Sequence, residues 1–68
     1  MNYKTLLLAR ESRGLTQKQL AELVPNLNQG NYSKMEKGLS SIPKETLDKV
    51  ADVLGYPVSF FYKDSQHD

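Results

Sequence analysis

The sequence predicts an all-α domain of five short helices. Three observations carry the prediction. Apolar residues recur at helical spacing in short segments, most clearly Leu47, Val50, Ala51 and Leu54 at i, i+3, i+4 and i+7. Glycine and proline fall between the segments as punctuation, at Gly14, Pro25, Gly38, Pro43 and Gly55. No stretch alternates apolar and polar residues for long enough to read as a strand.

Helix one is predicted over residues 3–13, stopping at Gly14. Leu6, Ala9 and Arg13 are spaced for one face, with Leu7 or Leu8 broadening it. Leu15 then anchors the chain in the core, and Thr16 offers a hydroxyl to cap helix two over residues 17–24. Leu20, Ala21 and Val24 form its inner stripe. Pro25 ends it, because the residue before a proline disfavours helical geometry. Leu27 is the apolar pin of the turn.

Asn28 caps helix three, which covers residues 29–37 and closes on Gly38, a residue suited to a left-handed C-terminal position. Tyr32, Met35 and Glu36 fall on one side of it. Gln29, Gly30, Ser33, Lys34 and Lys37 fall largely on the other. Residues 39–42 form a loop, with Ser41 expected to cap helix four and Pro43 placed in its first turn. Glu45 and Asp48 then lie near the positive helix start. Gly55 ends helix four. A last helix over residues 58–62 covers the core with Val58 and Phe61 or Phe60. Residues 1–63 read as one domain, and residues 64–68, which lack an apolar anchor, as a flexible tail.

The totals bound what such a domain can be. A chain of 68 residues holds one domain and buries only about 60% of its unfolded surface. It has no cysteine, so helix packing must supply its stability, which suits a reducing cytoplasm. The longest apolar run, residues 6–9, is far too short for a membrane span, and charges follow it at once, unlike a secretory signal. Net charge is only +1, but it is unevenly placed. Residues 1–44 hold seven Lys/Arg against three acids, and residues 45–68 hold two against five. One basic and one acidic half fit a polyanion-binding face, and they also fit ordinary surface scatter.

Residues 16–38 give two short capped helices with a tight turn between them, the outline of a helix-turn-helix. Around that outline, Gly14-Leu15-Thr16-Gln17, Leu20-Ala21-Glu22, Ser33-Lys34-Met35-Glu36-Lys37-Gly38 and the segment 47–55 resemble the Xre/Cro/C1 helix-turn-helix family of phage-repressor-like domains. The resemblance covers residues 3–62. The segment 55–62 and Gln29-Gly30 before Ser33-Lys34 are similar to a subgroup in which the domain precedes a zinc-metallopeptidase-like domain.

The resemblance implies roles position by position. Gln17 and Lys18, at the start of helix two, would meet phosphate, helped by the field of the helix N-terminus. Asn28 would cap helix three and touch DNA backbone. Gln29 would lead base reading, since a carboxamide donates and accepts together and so matches adenine N6 and N7. Gly30, Asn31, Ser33 and Lys34 are further base-contacting candidates. Lys37, Ser40 and Ser41 would hold phosphates beyond the helix. Arg10 and Glu36 occupy positions where the family carries an inward ion pair between helix one and helix three.

Two features depart from the family pattern. The turn Pro25-Asn26-Leu27 is one residue longer than the usual glycine-plus-apolar turn, and Gly30 stands where a base-reading side chain is common. Gly costs about 1 kcal/mol relative to Ala inside a helix.

The function implied is sequence-specific binding of double-stranded DNA by a transcriptional regulator, a repressor acting as a homodimer on a two-fold operator. The alternative is a protein-interaction module, either antitoxin-like or the N-terminal domain of a larger regulator. No enzyme, cofactor or metal is expected. The serines have no base at a motif spacing, no His-Glu-x-x-His cluster is present, and His67 stands alone near Asp64 and Asp68 in the tail. Gln29 and Gln17 also fit an ordinary solvated helix surface, and Tyr32 and Met35 fit core better than contact. Phe60 or Phe61, if either faced out, would be a dimer or interdomain contact.

Overall fold

A computed structural model describes residues 2–62. Five helices follow in order: α1 Lys4–Ser12, α2 Gln17–Leu23, α3 Gln29–Glu36, α4 Lys44–Leu54 and α5 Val58–Tyr62. Among the described residues there is no strand, so the domain is all-α. The expected tail over 64–68 and His67 lie outside the described residues.

The helix ends follow from their capping chemistry. Thr16 accepts from the Gln19 amide, and the Gln19 side chain accepts from the Thr16 amide at 2.8 Å, a reciprocal capping box. Asn28 accepts from the Asn31 amide at 2.8 Å and so starts α3. Gly38 ends α3 at φ +76. Its amide donates to Met35 and the Leu39 amide donates to Lys34, which satisfies two end carbonyls in a Schellman pair. A Cβ at Gly38 would also crowd the exposed Tyr3 ring at 3.0 Å, so the backbone favours glycine there and the ring would have to give way to any side chain.

Two expectations about the start of α4 are corrected, that Ser41 caps it and that Pro43 lies in its first turn. Ser41 does not cap α4: the N-cap is Pro43, with extended backbone and no side-chain cap. The helix therefore begins three residues beyond Ser41, with Pro43 in the N-cap position, so the Ser41 hydroxyl is not placed to cap the second or third helical amide. In the turn between α2 and α3, Asn26 stands at φ +62, a left-handed conformation that asparagine tolerates better than most residues.

The core consists of Leu6 and Ala9 from α1, Leu20 and Val24 from α2 and its end, Tyr32 from α3, Leu47, Val50, Ala51 and Leu54 from α4, and Phe61 from α5. Leu15, Leu27, Val58 and Phe60 pack against it, as expected of the loop anchors and the closing helix. Phe61 is fully buried and Phe60 half-buried against the core, their rings edge to face at 5.2 Å.

The inner face of α1 differs from the expected one. Thr5, Leu6, Ala9 and Arg10 are buried, whereas Leu7, Leu8 and Arg13 are exposed, Leu8 by 60%. The helix is rotated so that i, i+3, i+4 faces inward, and it ends before Arg13. Arg13 instead turns to the far end of α4, where its Nε donates to the Leu54 carbonyl at 2.6 Å and its guanidinium lies 4.9 Å from the Tyr56 ring centroid. A cation there neutralises an unpaired helix-end carbonyl and complements the helix dipole.

Candidate nucleic-acid interface

α2 and α3 pack closely on each other, with α1 behind α3. The inner side of α3 is apolar and sealed: Tyr32 is fully buried and Met35 nearly so. Its outer side carries Gln29, Gly30, Asn31, Lys34 and Lys37, all exposed, with Ser33 half-buried at the margin. The helical repeat places residues 29, 30, 33, 34 and 37 on one face. Lys18 and Asn28 are exposed and Gln17 is half-buried. Beyond Gly38, Ser40 is half-buried and Ser41 exposed in the loop that the Schellman turn launches.

A polar brace holds this pair of helices on α1. Arg10 Nε donates to Glu36 Oε2 at 2.7 Å and its Nη2 donates to Oε1 at 3.1 Å, so the expected ion pair forms as a two-pronged fork. The third arm, Arg10 Nη1, donates to the Leu15 carbonyl at 2.8 Å and pins the α1–α2 loop. Both side chains are nearly closed off from water, at 11% and 6% exposure. Gln17 completes the set, its Nε2 donating to Glu36 Oε1 at 2.9 Å. One carboxylate thus joins α1, α2 and α3.

The electrostatics follow from this crowding. The hydrogen bond to Glu36 raises the Arg10 guanidinium above its ordinary value. Burial acts to raise the Glu36 carboxyl, but hydrogen bonds from Arg10 and Gln17 and the Arg10 charge outweigh it and hold the group below the usual carboxylate range. Glu36 is therefore ionised at neutral pH. Burial drives the Tyr32 phenol upward, with the nearby Glu36 carboxylate adding to the effect. Its hydroxyl is buried without a hydrogen-bond partner among the described residues.

Two candidate side chains are already committed inside the protein. The Asn28 carbonyl oxygen serves the cap, which leaves its NH2 group for any outside acceptor. One Gln17 N–H serves Glu36, which leaves its second N–H and its backbone amide at the first turn of α2. The Gln17–Glu36 bond was not legible in the sequence. The Gln19 half of the capping box went unread as well, although the Thr16-x-x-Gln19 spacing carries its signal.

The arrangement is a short exposed polar helix, rigidly backed and set behind a second capped helix. It defines a helix-turn-helix DNA-binding domain. A family model described as helix-turn-helix matches residues 6–61, and the chain belongs to that family, of the Cro/C1 type. A comparison with curated proteins finds no match. Among the described residues no group of His, Cys, Asp or Glu could hold a metal ion, and no helix is long and apolar enough to cross a membrane.

Proposed function

We propose that this domain binds duplex DNA sequence-specifically as a transcriptional repressor in the cytoplasm, with α3 in the major groove. The observation that carries the reading is the division of α3 into a sealed apolar side and an exposed side of carboxamides, a hydroxyl and two lysines. Gln29 leads base reading, with Gly30, Asn31, Ser33 and Lys34 beside it. Gln17, Lys18, Asn28, Lys37, Ser40 and Ser41 hold phosphates and set the register. The protein acts as a homodimer on a two-fold operator, with half-sites about 10 bp apart or a multiple of that, so that both recognition helices meet one face of the DNA.

Selection of binding sites from random duplexes, followed by gel shifts against salt, tests the reading. A preferred sequence is expected, with affinity falling about 10³-fold or more between 50 and 200 mM salt if six or more phosphates are held. No preferred sequence and a flat salt response would sink it. The exposed Leu8 and Tyr62 favour a second reading, a module that docks a partner protein or an appended domain. Contact through those apolar side chains would be nearly indifferent to salt, which separates the two.

A further inference from the structure

Of the four glycines, three are required by the backbone. Gly14, Gly38 and Gly55 all have positive φ, between +71 and +76. Gly30 is different. It lies in the first turn of α3, in ordinary helical backbone, and it is exposed. A Cβ built there would meet only the Asn28 side-chain oxygen, at 3.5 Å, an ordinary van der Waals contact that leaves the cap intact. The fold therefore has room for a side chain at this position. It also has reason for one, because glycine in a helix leaves the unfolded chain with more conformational freedom to lose. The position sits between Gln29 and Asn31 on the outward, polar face.

We propose that Gly30 is a specificity-determining position whose missing side chain lets the α3 backbone approach the major-groove edge of DNA more closely than any other residue would allow. The inference rests on the DNA-binding reading and sharpens it. The methyl group that would firm the free helix would stand between the backbone and a base edge. Close approach brings the Gln29 and Lys34 side chains, which share that face, within reach of bases. A bulkier residue at 30 would hold both away, so contact is lost at more than one base position.

The test uses the whole chain and the duplex that the unaltered chain selects from random sequence. Gly30→Ala and Gly30→Val are compared with it by thermal melting and by affinity for that duplex. The Ala variant is expected to melt about 4–8 °C higher, from the helix preference alone. Its affinity is expected to fall about tenfold or more, as for a methyl group forced into a packed contact, and the Val variant to bind more weakly still. Equal or tighter binding by Gly30→Ala overturns the proposal, because a firmer recognition helix would then help rather than obstruct. A lower melting temperature for Gly30→Ala also overturns it, because the glycine would then serve the fold. If the unaltered chain selects no duplex at all, the DNA reading fails and this proposal falls with it. If the unaltered chain binds and only the variants fail to differ, the DNA reading stands and the role of Gly30 alone is refuted.

Discussion

Gln17 and Glu36 are joined by a 2.9 Å hydrogen bond from the first residue of α2 to the last residue of α3. The same carboxylate receives both prongs of Arg10. The two helices of the motif are therefore tied through one carboxylate, which α3 carries and which the Arg10 guanidinium of α1 balances. A lysine at position 10 could not do this, since it lacks a planar fork and the arm that reaches the Leu15 carbonyl.

The brace predicts unequal costs. Arg10→Ala leaves Glu36 ionised and nearly buried without its counter-charge, and is expected to destabilise the domain by about 3–5 kcal/mol. Gln17→Ala removes one hydrogen bond at a half-exposed margin and should cost about 1 kcal/mol. Urea unfolding of the two variants gives the comparison. Equal costs would mean that the ion pair contributes nothing beyond its packing.

Stability should respond to acid through the same carboxylate. Glu36 titrates lower folded than its ordinary value of 4.5. The unfolded chain thus takes up the proton first as pH falls. The contribution is present in full above the unfolded value, shrinks below about 4.5, and is gone once pH drops through the folded value. In Glu36→Gln, with the carboxyl absent, the loss of stability between neutral pH and pH 3 should be smaller than in the unaltered chain. Denaturant midpoints across that range check it, and parallel curves would contradict it.

Base readers and phosphate holders should separate in binding. Gln29→Ala is expected to lower affinity for the preferred duplex by about 1–3 kcal/mol and to relax the preference at one base position. Lys37→Ala should weaken all sequences alike and flatten the salt slope by about one. Site selection repeated with each variant distinguishes them, and identical profiles would contradict the assigned roles.

Gly38 should tolerate no side chain. Its φ of +76 is costly for an L-residue, and a Cβ would press on the Tyr3 ring at 3.0 Å. Gly38→Ala is expected to destabilise by about 1–3 kcal/mol and to shift the loop carrying Ser40 and Ser41. Calorimetric melting measures the first effect. An unchanged melting temperature would show that the turn can relax.

Much of this domain was legible in local chemistry. Thr16, Asn28 and Gly38 mark helix ends because capping involves residues within three or four positions of one another. The stripes of α2 and α4 could be read directly, since Leu20, Ala21 and Val24, and Leu47, Val50, Ala51 and Leu54, are the apolar residues at helical spacing. The outward face of α3 followed by subtraction from Tyr32 and Met35. Helix one was harder. Leu6, Leu7 and Leu8 are consecutive, so three rotations of the helix bury a leucine equally well. Only packing against α3 and α5 chose the one that hides Leu6 and exposes Leu8.

The sequence by itself determined the five helices, the ends marked by Thr16, Asn28, Gly38 and Gly55, and the polar face that α3 turns outward, because each depends on neighbours a few residues away. Tertiary structure alone decided the rotation of α1, the turning of Arg13 to the Leu54 carbonyl, and the bond by which Gln17 joins the Arg10–Glu36 pair. Those depend on groups 19 to 41 residues apart in the chain, brought together when the apolar stripes pack. A buried charge accepts whichever donors that packing leaves beside it, and no local pattern records which they are.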